Sequence, residues 1–372
     1  MRPRILEAGL WTEAFHVERR GVDLLAGLAG AVASCAPLAI GIAVDEPEIG
    51  VTACFGGLNG ALGVPRGVLR ERVGWGLGAT AGCCVSVVLA TAVQGSVAAS
   101  VVVAFVWISL AACLRTFGRN GGLTGFVMGA IFAIFNGVPG ESLNTGTRLL
   151  WFLLGSMVGV VLMVAVYART APRPAPAQPP LGRVLVQGVR QLQQAIAHDA
   201  LLRAHALRLG SIVAATTLFY QLLDLQHGYW IPLTVLAVLQ PEEHASKVRA
   251  IQRGAGTLAG TAVIVLLVLA TDGQWVLVGA QGLAAFGLFA LSARGYFWLV
   301  VLLTPTALLT LSTVDFQGDA IAAERAGWSA VGILLSIVIA GRLWRLKPHI
   351  PRADPSQPAG AVPGSTGAEV RS

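Results

Sequence analysis

Long apolar runs alternate with short polar segments along most of the chain. Most runs are about 15 to 21 residues long, which is the length that an α-helix needs to cross a bilayer. They are continuously apolar, whereas the strands of a membrane barrel would alternate in polarity over about ten residues. The pattern therefore predicts an all-α integral membrane protein with about twelve transmembrane helices. The predicted spans are residues 24–44, 50–64, 74–94, 97–114, 122–138, 149–168, 209–226, 229–240, 254–271, 274–291, 296–313 and 327–341.

The composition agrees with this prediction. Hydrophobic residues make up 55% of the chain and charged residues only 12%, a combination that soluble domains rarely have. The net charge of +7 could indicate a nucleic-acid partner. The basic residues lie between the apolar runs, however, where membrane orientation requires them. We therefore expect the lipid bilayer as a partner, and no nucleic acid.

The basic residues also predict an orientation. If the N-terminus is cytoplasmic, 24 of the 26 lysines and arginines fall in cytoplasmic segments, in agreement with the positive-inside rule. Only Arg148 and Arg325 fall on the outer side. A missed or an extra span would invert part of this pattern. The sequence therefore predicts a multi-pass protein of the plasma membrane with both termini in the cytoplasm.

Several landmarks recur about 178 residues apart. The shared offset predicts two tandem halves of six helices each. An even number of spans keeps both halves in the same orientation, which implies a pseudo-twofold axis along the membrane normal. The matching stretches are GLGATAG (76–82) with GAGTLAG (254–260), RLLWFLLG (148–155) with RAGWSAVG (325–332), and Asp45 and Glu46 with Asp224.

The repeat and the polar segments define an expected domain organisation. A proline-rich stretch after the first half predicts a stiff spacer, and the Pro-, Gly- and Ser-rich end of the chain is expected to be disordered. The predicted regions are a cytoplasmic N-terminal segment (1–20), a first six-helix membrane half (21–170), a cytoplasmic Pro-rich linker and helix (171–208), a second six-helix half (209–345) and a disordered cytoplasmic tail (346–372).

A charged segment, LQPEEHASKVRAIQRGAGTLAG at 239–260, interrupts the second half. It follows the run 229–240, which contains Pro232 and is too short to cross the hydrocarbon core as a straight helix. The corresponding run, 50–64, is also short and is rich in glycine. Paired short or Gly/Pro-broken segments at matching places indicate the substrate site of a transporter. A kinked or tilted helix with a polar end is the alternative.

The residues around this segment resemble the signature of the fusaric acid resistance (FUSC-like) family. The resemblance covers 229–260 and implies an integral membrane transporter of the bacterial cytoplasmic membrane. It also implies a function similar to that of aromatic carboxylic acid efflux pumps and a fold similar to that of plant aluminium-activated malate channels. The matching residues are Tyr229-Trp230-Ile231-Pro232-Leu233-Thr234, Gln240-Pro241, Arg249, Gln252-Arg253 and Gly256-Thr257-Leu258-Ala259-Gly260.

Two features depart from the family pattern. Many family members carry a large cytoplasmic domain after each membrane half, whereas the segments at 171–208 and 346–372 are short. A role for periplasmic adaptor proteins is therefore left open, and so is a homo-oligomer. The first half matches the signature only roughly, with Asn59, Pro65 and Arg72 in place of Gln240, Pro241 and Arg253.

An organic-anion path needs cations together with apolar and aromatic walls, and the planar guanidinium of arginine binds both oxygens of a carboxylate. Simpler interpretations exist for each candidate. In these interpretations the cytoplasmic arginines only satisfy the positive-inside rule and the aromatic pair belongs to an interfacial belt. Each outer arginine pairs with a nearby acid, Arg148 with Glu141 and Arg325 with Glu324 or Asp319. The predicted substrate path consists of Asn59, Arg148, Tyr229, Trp230, Thr234, Gln240, Arg249, Arg253 and Arg325.

Asp224 and Glu46 are the predicted proton-coupling residues, because an acid near the bilayer is costly and often functional. A plain outer-loop role is the alternative for both. His244 is expected to be a solvated loop residue. The two acids after Pro241 are expected to cap the next helix or to pair with basic residues one turn further on.

No catalytic or metal site is predicted. The motifs GxxxxGK[ST], GxSxG and HExxH do not occur, so an enzyme is not expected. The five cysteines lie inside predicted spans without metal-binding spacing, so no metal and no cofactor are expected. Three functions remain. The resemblance favours a proton-coupled exporter of organic or aromatic carboxylic acids over a passive organic-anion channel and over a non-catalytic permease or partner subunit.

Overall fold

The structure is a computed structural model that describes residues 3–16, 21–138, 143–169, 181–270, 273–291, 294–313 and 318–343. Every regular element described in these ranges is helical. The α-helices are α1 (Pro3–Ala14), α2 (Leu24–Ala43), α3 (Pro47–Leu62), α4 (Leu69–Val93), α5 (Val97–Cys113), α6 (Gly118–Gly137), α7 (Thr145–Ala168), α8 (Leu181–His198), α9 (Ala200–Leu222), α10 (Trp230–Val238), α11 (Glu243–Ala270), α12 (Gln274–Leu291), α13 (Tyr296–Ser312) and α14 (Gly318–Val338). The proline-rich stretch 171–180 and the predicted tail lie outside the described residues.

Each predicted apolar run coincides with one helix, α2 to α7 and α9 to α14, to within a few residues at most ends. Seven helical segments in the described ranges are long and apolar enough to cross a membrane, and one of them contains both α5 and α6. The structure therefore confirms an all-α, multi-pass membrane protein, while the count of twelve crossings stays a prediction. The seven segments are Leu24–Ala43, Leu69–Val93, Val97–Gly137, Thr145–Ala168, Glu243–Leu267, Gln274–Leu291 and Glu324–Arg342.

Short polar side chains determine where several helices begin. The side chains of Asp23, Ser96, Asn144 and Asp199 accept a backbone N–H at the N-termini of α2, α5, α7 and α9, which is the usual role of an N-cap. The cap at Asp199 separates α8 from α9, so the region predicted as a linker and helix (171–208) contains α8 and the first turns of α9. The helix that contains the predicted span 209–226 therefore starts at Ala200.

The helices pack in matching pairs. Helix α3 lies against α7, and α10 lies against α14. Helix α4 contacts α6 and α7, and α11 contacts α13 and α14. Between the two parts of the chain, α5 packs on α9 and α2 packs on α12. The bundle is therefore held together by contacts both within and between the predicted halves.

Glycines permit the closest helix approaches. A Cβ atom built on Gly155 of α7 would lie 2.0 Å from the backbone oxygen of Ala53 in α3. A Cβ atom built on Gly332 of α14 would lie 2.9 Å from the backbone oxygen of Ile231 in α10. Neither distance leaves room for a side chain without a shift of one helix, so these contacts set the spacing of both helix pairs.

The two short helices, α3 and α10, lie in the interior of the bundle. All nine residues of α10 are buried, and α3 is buried from Thr52 to Ala61. At 1.5 Å per residue, α10 is only about 14 Å long. Both short helices are therefore core elements of the bundle, while their role in a substrate path stays a prediction.

Candidate anion-binding site

A cavity of about 710 Å³ lies among the ends of several helices. The first turns of α3, α5 and α7 reach it, together with the last turns of α6 and α9 and the loop before α10. In the predicted orientation all these ends are on the outer side, so we call it the outer cavity. It is lined by Glu48, Val51, Thr52, Phe55, Gly95, Ser96, Val97, Ile134, Phe135, Asn136, Gly137, Val138, Leu143, Arg148, Tyr220, Gln221, Asp224, Leu225, Gln226, His227, Tyr229 and Leu311.

Aromatic side chains form much of its wall. Phe55 and Phe135 pack edge to face with ring centroids 6.5 Å apart. Tyr220 and Tyr229 are buried, and the amide of Asn136 donates a hydrogen bond of 3.3 Å to the Tyr220 hydroxyl. The wall therefore combines flat apolar surfaces with a few fixed polar groups, as small-molecule sites commonly do.

Arg148 places a positive charge in the outer cavity. It lies in the first turn of α7, where its backbone N–H donates to the oxygen of Asn144 at 3.0 Å. Only 5% of its surface is exposed, and it interacts electrostatically with Glu48. The expected partner Glu141 lies outside the described residues. A buried guanidinium beside aromatic walls is suited to bind a carboxylate.

The two predicted proton-coupling residues are placed differently. Asp224 lines the outer cavity and is exposed. Its φ of 47° marks it as the left-handed residue that ends α9. Glu46 is exposed at the N-cap of α3 and is not among the cavity-lining residues. Of the two predicted residues, only Asp224 therefore lies at the outer cavity.

Arg325, the counterpart of Arg148, has other surroundings. It is 1% exposed, and its Cζ atom lies 3.9 Å from the centroid of the Trp230 ring. Its Nη2 donates to the hydroxyl of Thr304 at 3.4 Å. Nε and Nη1 are buried without an acceptor in the described part of the chain. Arg325 does not line the outer cavity.

The alternative that Arg325 pairs with Glu324 is wrong, and the side chain of Asp319, the other acid near it in sequence, lies outside the described residues. Glu324 instead accepts from Nδ1 of His227 at 2.6 Å, so this carboxylate ties α14 to the loop before α10. The interfacial-belt interpretation of Tyr229 and Trp230 is also wrong, because both side chains are buried inside the bundle. Their rings lie 5.0 Å apart, so Tyr229 connects the outer cavity to the Arg325–Trp230 stack.

Among the described residues, the charge of Arg325 is incompletely compensated. A guanidinium remains protonated in proteins. Transfer of an unpaired ion from water to the interior is penalised by on the order of several kcal/mol, whereas a desolvated cation–π contact returns about 2 kcal/mol. Arg253 lies close enough to repel Arg325. The interior of the second half therefore contains two neighbouring positive charges.

The two arginines of the charged segment do not share one environment. Arg253 of α11 is 2% exposed, and its Nε has no acceptor among the described residues. Arg249, one turn earlier, is partly exposed and lies 3.8 Å from the centroid of the Tyr296 ring. Of the two, only Arg253 therefore reaches the interior in which Arg325 lies.

Three other predicted path residues make packing contacts. Asn59 donates to the backbone oxygen of Phe55 at 2.7 Å within α3. The hydroxyl of Thr234 lies 3.4 Å from that of Ser329, between α10 and α14. Gln240 accepts from Arg115 at 2.9 Å through Oε1. None of the three lines the outer cavity.

The backbone of Gln240 is fixed by a buried basic pair. Arg208 donates to its carbonyl oxygen at 2.6 Å, and His205 lies 3.4 Å from the Arg208 guanidinium. His205 occupies the first turns of α9, before the apolar run begins. Burial, with Arg208 and Arg115 nearby, lowers the pKa of His205 to about 3. The imidazole is therefore neutral at physiological pH.

The charged groups at the start of α11 pair at the surface. Glu243 and Lys247 form an i,i+4 ion pair of 2.7 Å, which confirms the predicted pairing one turn further on. His244 is exposed as predicted, and its Nε2 lies 2.7 Å from a carboxylate oxygen of Glu13 in α1. Both pairs are solvent-exposed, so they contribute little to stability.

Sequence reasoning missed several cavity residues. Phe55, Phe135 and Tyr220 are ordinary apolar or aromatic positions of long helices, and no local motif distinguishes them. His227 follows a helix end and carries no spacing signal. Glu48 was visible only as one of several outer acids. A common signal does exist, since all five lie near predicted outer ends of spans, but only the fold selects them.

Residues 198–339 match the family model described as fusaric acid resistance protein-like, which confirms the resemblance predicted from 229–260. Three relatives share a segment of this chain. The identity is 32% over 144 residues with an uncharacterized protein, ORF2, of Neisseria gonorrhoeae. It is 29% over 140 residues with an uncharacterized protein of Haemophilus influenzae, and 28% over 149 residues with the inner membrane protein YccS of Escherichia coli.

The matched segments are 38%, 38% and 39% of this chain. They span only 34%, 20% and 20% of the three relatives. No solved structure matches the chain. Together with the apolar helices, the family match and the inner-membrane relative indicate a bacterial inner membrane protein.

Proposed function

We propose that this protein is a secondary transporter that exports organic carboxylates, including aromatic ones, and that the outer cavity is its binding site. The observation that carries the proposal is the buried Arg148 among aromatic walls in a space of about 710 Å³. An aromatic carboxylate has the complementary chemistry, with a flat apolar body and two anionic oxygens. A cavity of this volume falls in the range of small-molecule sites.

We also propose that the membrane part consists of two six-helix halves related by a pseudo-twofold axis. The packing supports this proposal, because the contact of α5 with α9 is reciprocated by that of α12 with α2. The close glycine contacts support it too. Gly155 and Gly332 are 177 residues apart, and their contact partners Ala53 and Ile231 are 178 apart. Repeats of this kind permit one half to rock against the other during transport.

Proton coupling is part of the proposal. Asp224 is the better placed of the two predicted acids, because it lines the outer cavity while Glu46 does not. Protonation of Asp224 from the outside would remove a negative charge next to the bound carboxylate. Such a step would make substrate affinity depend on the external pH, and therefore on the proton gradient.

A passive organic-anion channel is the second candidate. Arg253 and Arg325 favour it, since both are buried with donors that have no acceptor among the described residues, and such cations lower the barrier for an anion. The two functions differ in their energy source. Anion current that persists without a pH gradient would favour the channel, whereas accumulation that follows the pH gradient would favour the exporter.

The test is transport of a radiolabelled aromatic carboxylate, 4-hydroxybenzoate, into inside-out vesicles or proteoliposomes with and without an imposed pH gradient. We expect gradient-dependent accumulation by the wild type and a loss in Arg148→Gln. Arg190→Gln is the matched control, because Arg190 is exposed on α8, away from the cavity. Equal transport by Arg148→Gln and the control, at equal protein content, would contradict the proposed site.

Orientation has its own test. Arg190 and Asp224 are both exposed, and the proposed topology puts them on opposite sides of the membrane. Single cysteines at these positions, in a background without the five native cysteines, should react with an impermeant maleimide from opposite sides. Labelling of both from the same side would reject the proposed topology.

A further inference from the structure

Hydrogen-bond donors without acceptors accumulate around the Arg325–Trp230 stack. Within the described part of the chain, Nε and Nη1 of Arg325, Nε of Arg253 and Nε1 of Trp230 are buried and unpartnered. The hydroxyl of Thr257, one turn after Arg253 on the same face of α11, is also buried and unpartnered. All four residues are at most 2% exposed. Four side chains from α10, α11 and α14 thus offer protons, and Thr304 offers one distant oxygen.

Chemistry restricts what can complete this site. Buried polar groups in proteins are nearly always paired, and a buried charge is tolerated when a counter-charge meets it. Two guanidinium groups that repel each other cannot release their protons. A neutral water would satisfy some donors but would leave both charges uncompensated. The missing group is therefore an anion that accepts hydrogen bonds.

From this surplus of donors we infer that a small monovalent inorganic anion, of the size and charge of chloride, binds between Arg325 and Arg253 in the interior of the second half. This inference does not depend on the proposed transport function. The bound ion would accept hydrogen bonds from both arginines and from Trp230 and Thr257. It would hold α10, α11 and α14 together.

The surroundings favour a small ion over an organic carboxylate. Helix α14 approaches α10 so closely that a Cβ on Gly332 would lie 2.8 Å from Cβ of Thr234. Helix α11 approaches α13 so closely that a Cβ on Gly260 would lie 2.7 Å from Cβ of Thr304. Both threonines are fully buried. Helices at this spacing have no room for an aromatic body between them, which the outer cavity does offer.

The test is thermal unfolding of the purified full chain in detergent, with sodium gluconate replaced stepwise by sodium chloride at constant ionic strength. An ion that binds only the folded state raises Tm, because the stabilisation grows with the logarithm of (1 + [L]/Kd), where [L] is the chloride concentration. We expect such a rise for the wild type and for Arg190→Gln. In Arg325→Gln the rise should disappear, and in gluconate alone this variant should be at least as stable as the wild type because it lacks the uncompensated charge.

Three outcomes would overturn the inference. The first is a wild type whose Tm does not rise with chloride. The second is an equal chloride response in Arg325→Gln and the wild type. The third is loss of the response in Arg148→Gln alone, which would assign the ion to the outer cavity. If Arg325→Gln does not fold, Arg253→Gln takes its place. If neither folds, anomalous diffraction from wild-type crystals grown in bromide decides, with a peak beside Arg325 supporting the site and its absence contradicting it.

Discussion

Arg148 and Arg325 occupy matching places in the two parts of the chain, yet their surroundings differ. Arg148 lines an outer cavity with a carboxylate, Glu48, nearby. Arg325 is buried in a cation–π contact with Trp230, and the charge of Arg253 repels it. The difference arises from the neighbouring helices, because α3 presents Thr52 and Phe55 to the cavity where α10 presents the bulky Trp230. If the two proposals hold, arginines at the same sequence offset bind an exchangeable ligand in one part of the chain and a resident ion in the other.

The glycine contacts should show the largest effect. Gly155→Ala places a Cβ 2.0 Å from a backbone oxygen of α3, whereas Gly332→Ala places one 2.9 Å from a backbone oxygen of α10. Overpacking of a tight contact costs about 3 kcal/mol and a milder one about 1 kcal/mol. We expect Gly155→Ala to lower Tm in detergent more than Gly332→Ala. The reverse order, or no loss in either variant, would show that the two helix pairs are not packed as described.

Ligand binding should separate the two arginines next. Hydrogen bonds to charged groups are worth about 1.5 to 3 kcal/mol, so Arg148→Gln should weaken binding of an aromatic carboxylate about 10- to 100-fold. Arg325→Gln should leave this affinity within about threefold. Isothermal titration with 4-hydroxybenzoate measures both. An equal loss in the two variants would place Arg325 in the substrate path and would contradict the different roles of the two arginines.

A pH effect should distinguish α9 from its counterpart α2. His205 and Arg208 of α9 correspond to Gly27 and Gly30 of α2, which pack against α12. The pKa of His205 is lowered to about 3, below its ordinary value of about 6.5. Between these values the unfolded chain binds a proton that the folded chain does not, so stability falls as pH drops below about 6.5.

At pH 5 this effect amounts to about 2 kcal/mol. The measurement is Tm in detergent between pH 7.5 and pH 5, and His205→Gln should flatten the curve. His198→Gln is the matched control, because His198 is exposed at the end of α8. A decline of equal steepness in His205→Gln would assign the pH dependence to other groups.

The smallest effect is expected at the His227–Glu324 pair. Its partners lie 2.6 Å apart with 27% and 36% of their side chains exposed, and exposed pairs contribute at most about 1 kcal/mol. Glu324→Gln should therefore lower Tm only slightly. The effect of Glu324→Gln on carboxylate binding is more informative than its effect on Tm, because His227 lines the outer cavity. A loss as large as that of Arg148→Gln would identify His227 as a second ligand-binding residue.

Helix positions followed from local pattern in most places, because a long apolar run has one stable form in lipid. The start of α9 is an exception, because the apolar pattern did not predict it. Residues 200–208 are polar enough to read as a surface helix, yet Asp199 caps a new helix there. His205 and Arg208 are then buried by Gln240 and Arg115, which are distant in sequence. Tertiary contacts supplied the partners that make burial of these polar residues tolerable.

The sequence alone determined the class of the protein, the places of its membrane helices, its resemblance to the fusaric acid resistance protein-like family and the unusual status of Arg148 and Arg325. Apolar length, charge distribution and signature spacing are local properties, and the chain carries them in any conformation. Tertiary structure alone decided that Arg148 meets a cavity, that Arg325 lies under Trp230, and that Glu324 pairs with His227. Those outcomes depend on which helices pack together and how closely their glycines let them approach.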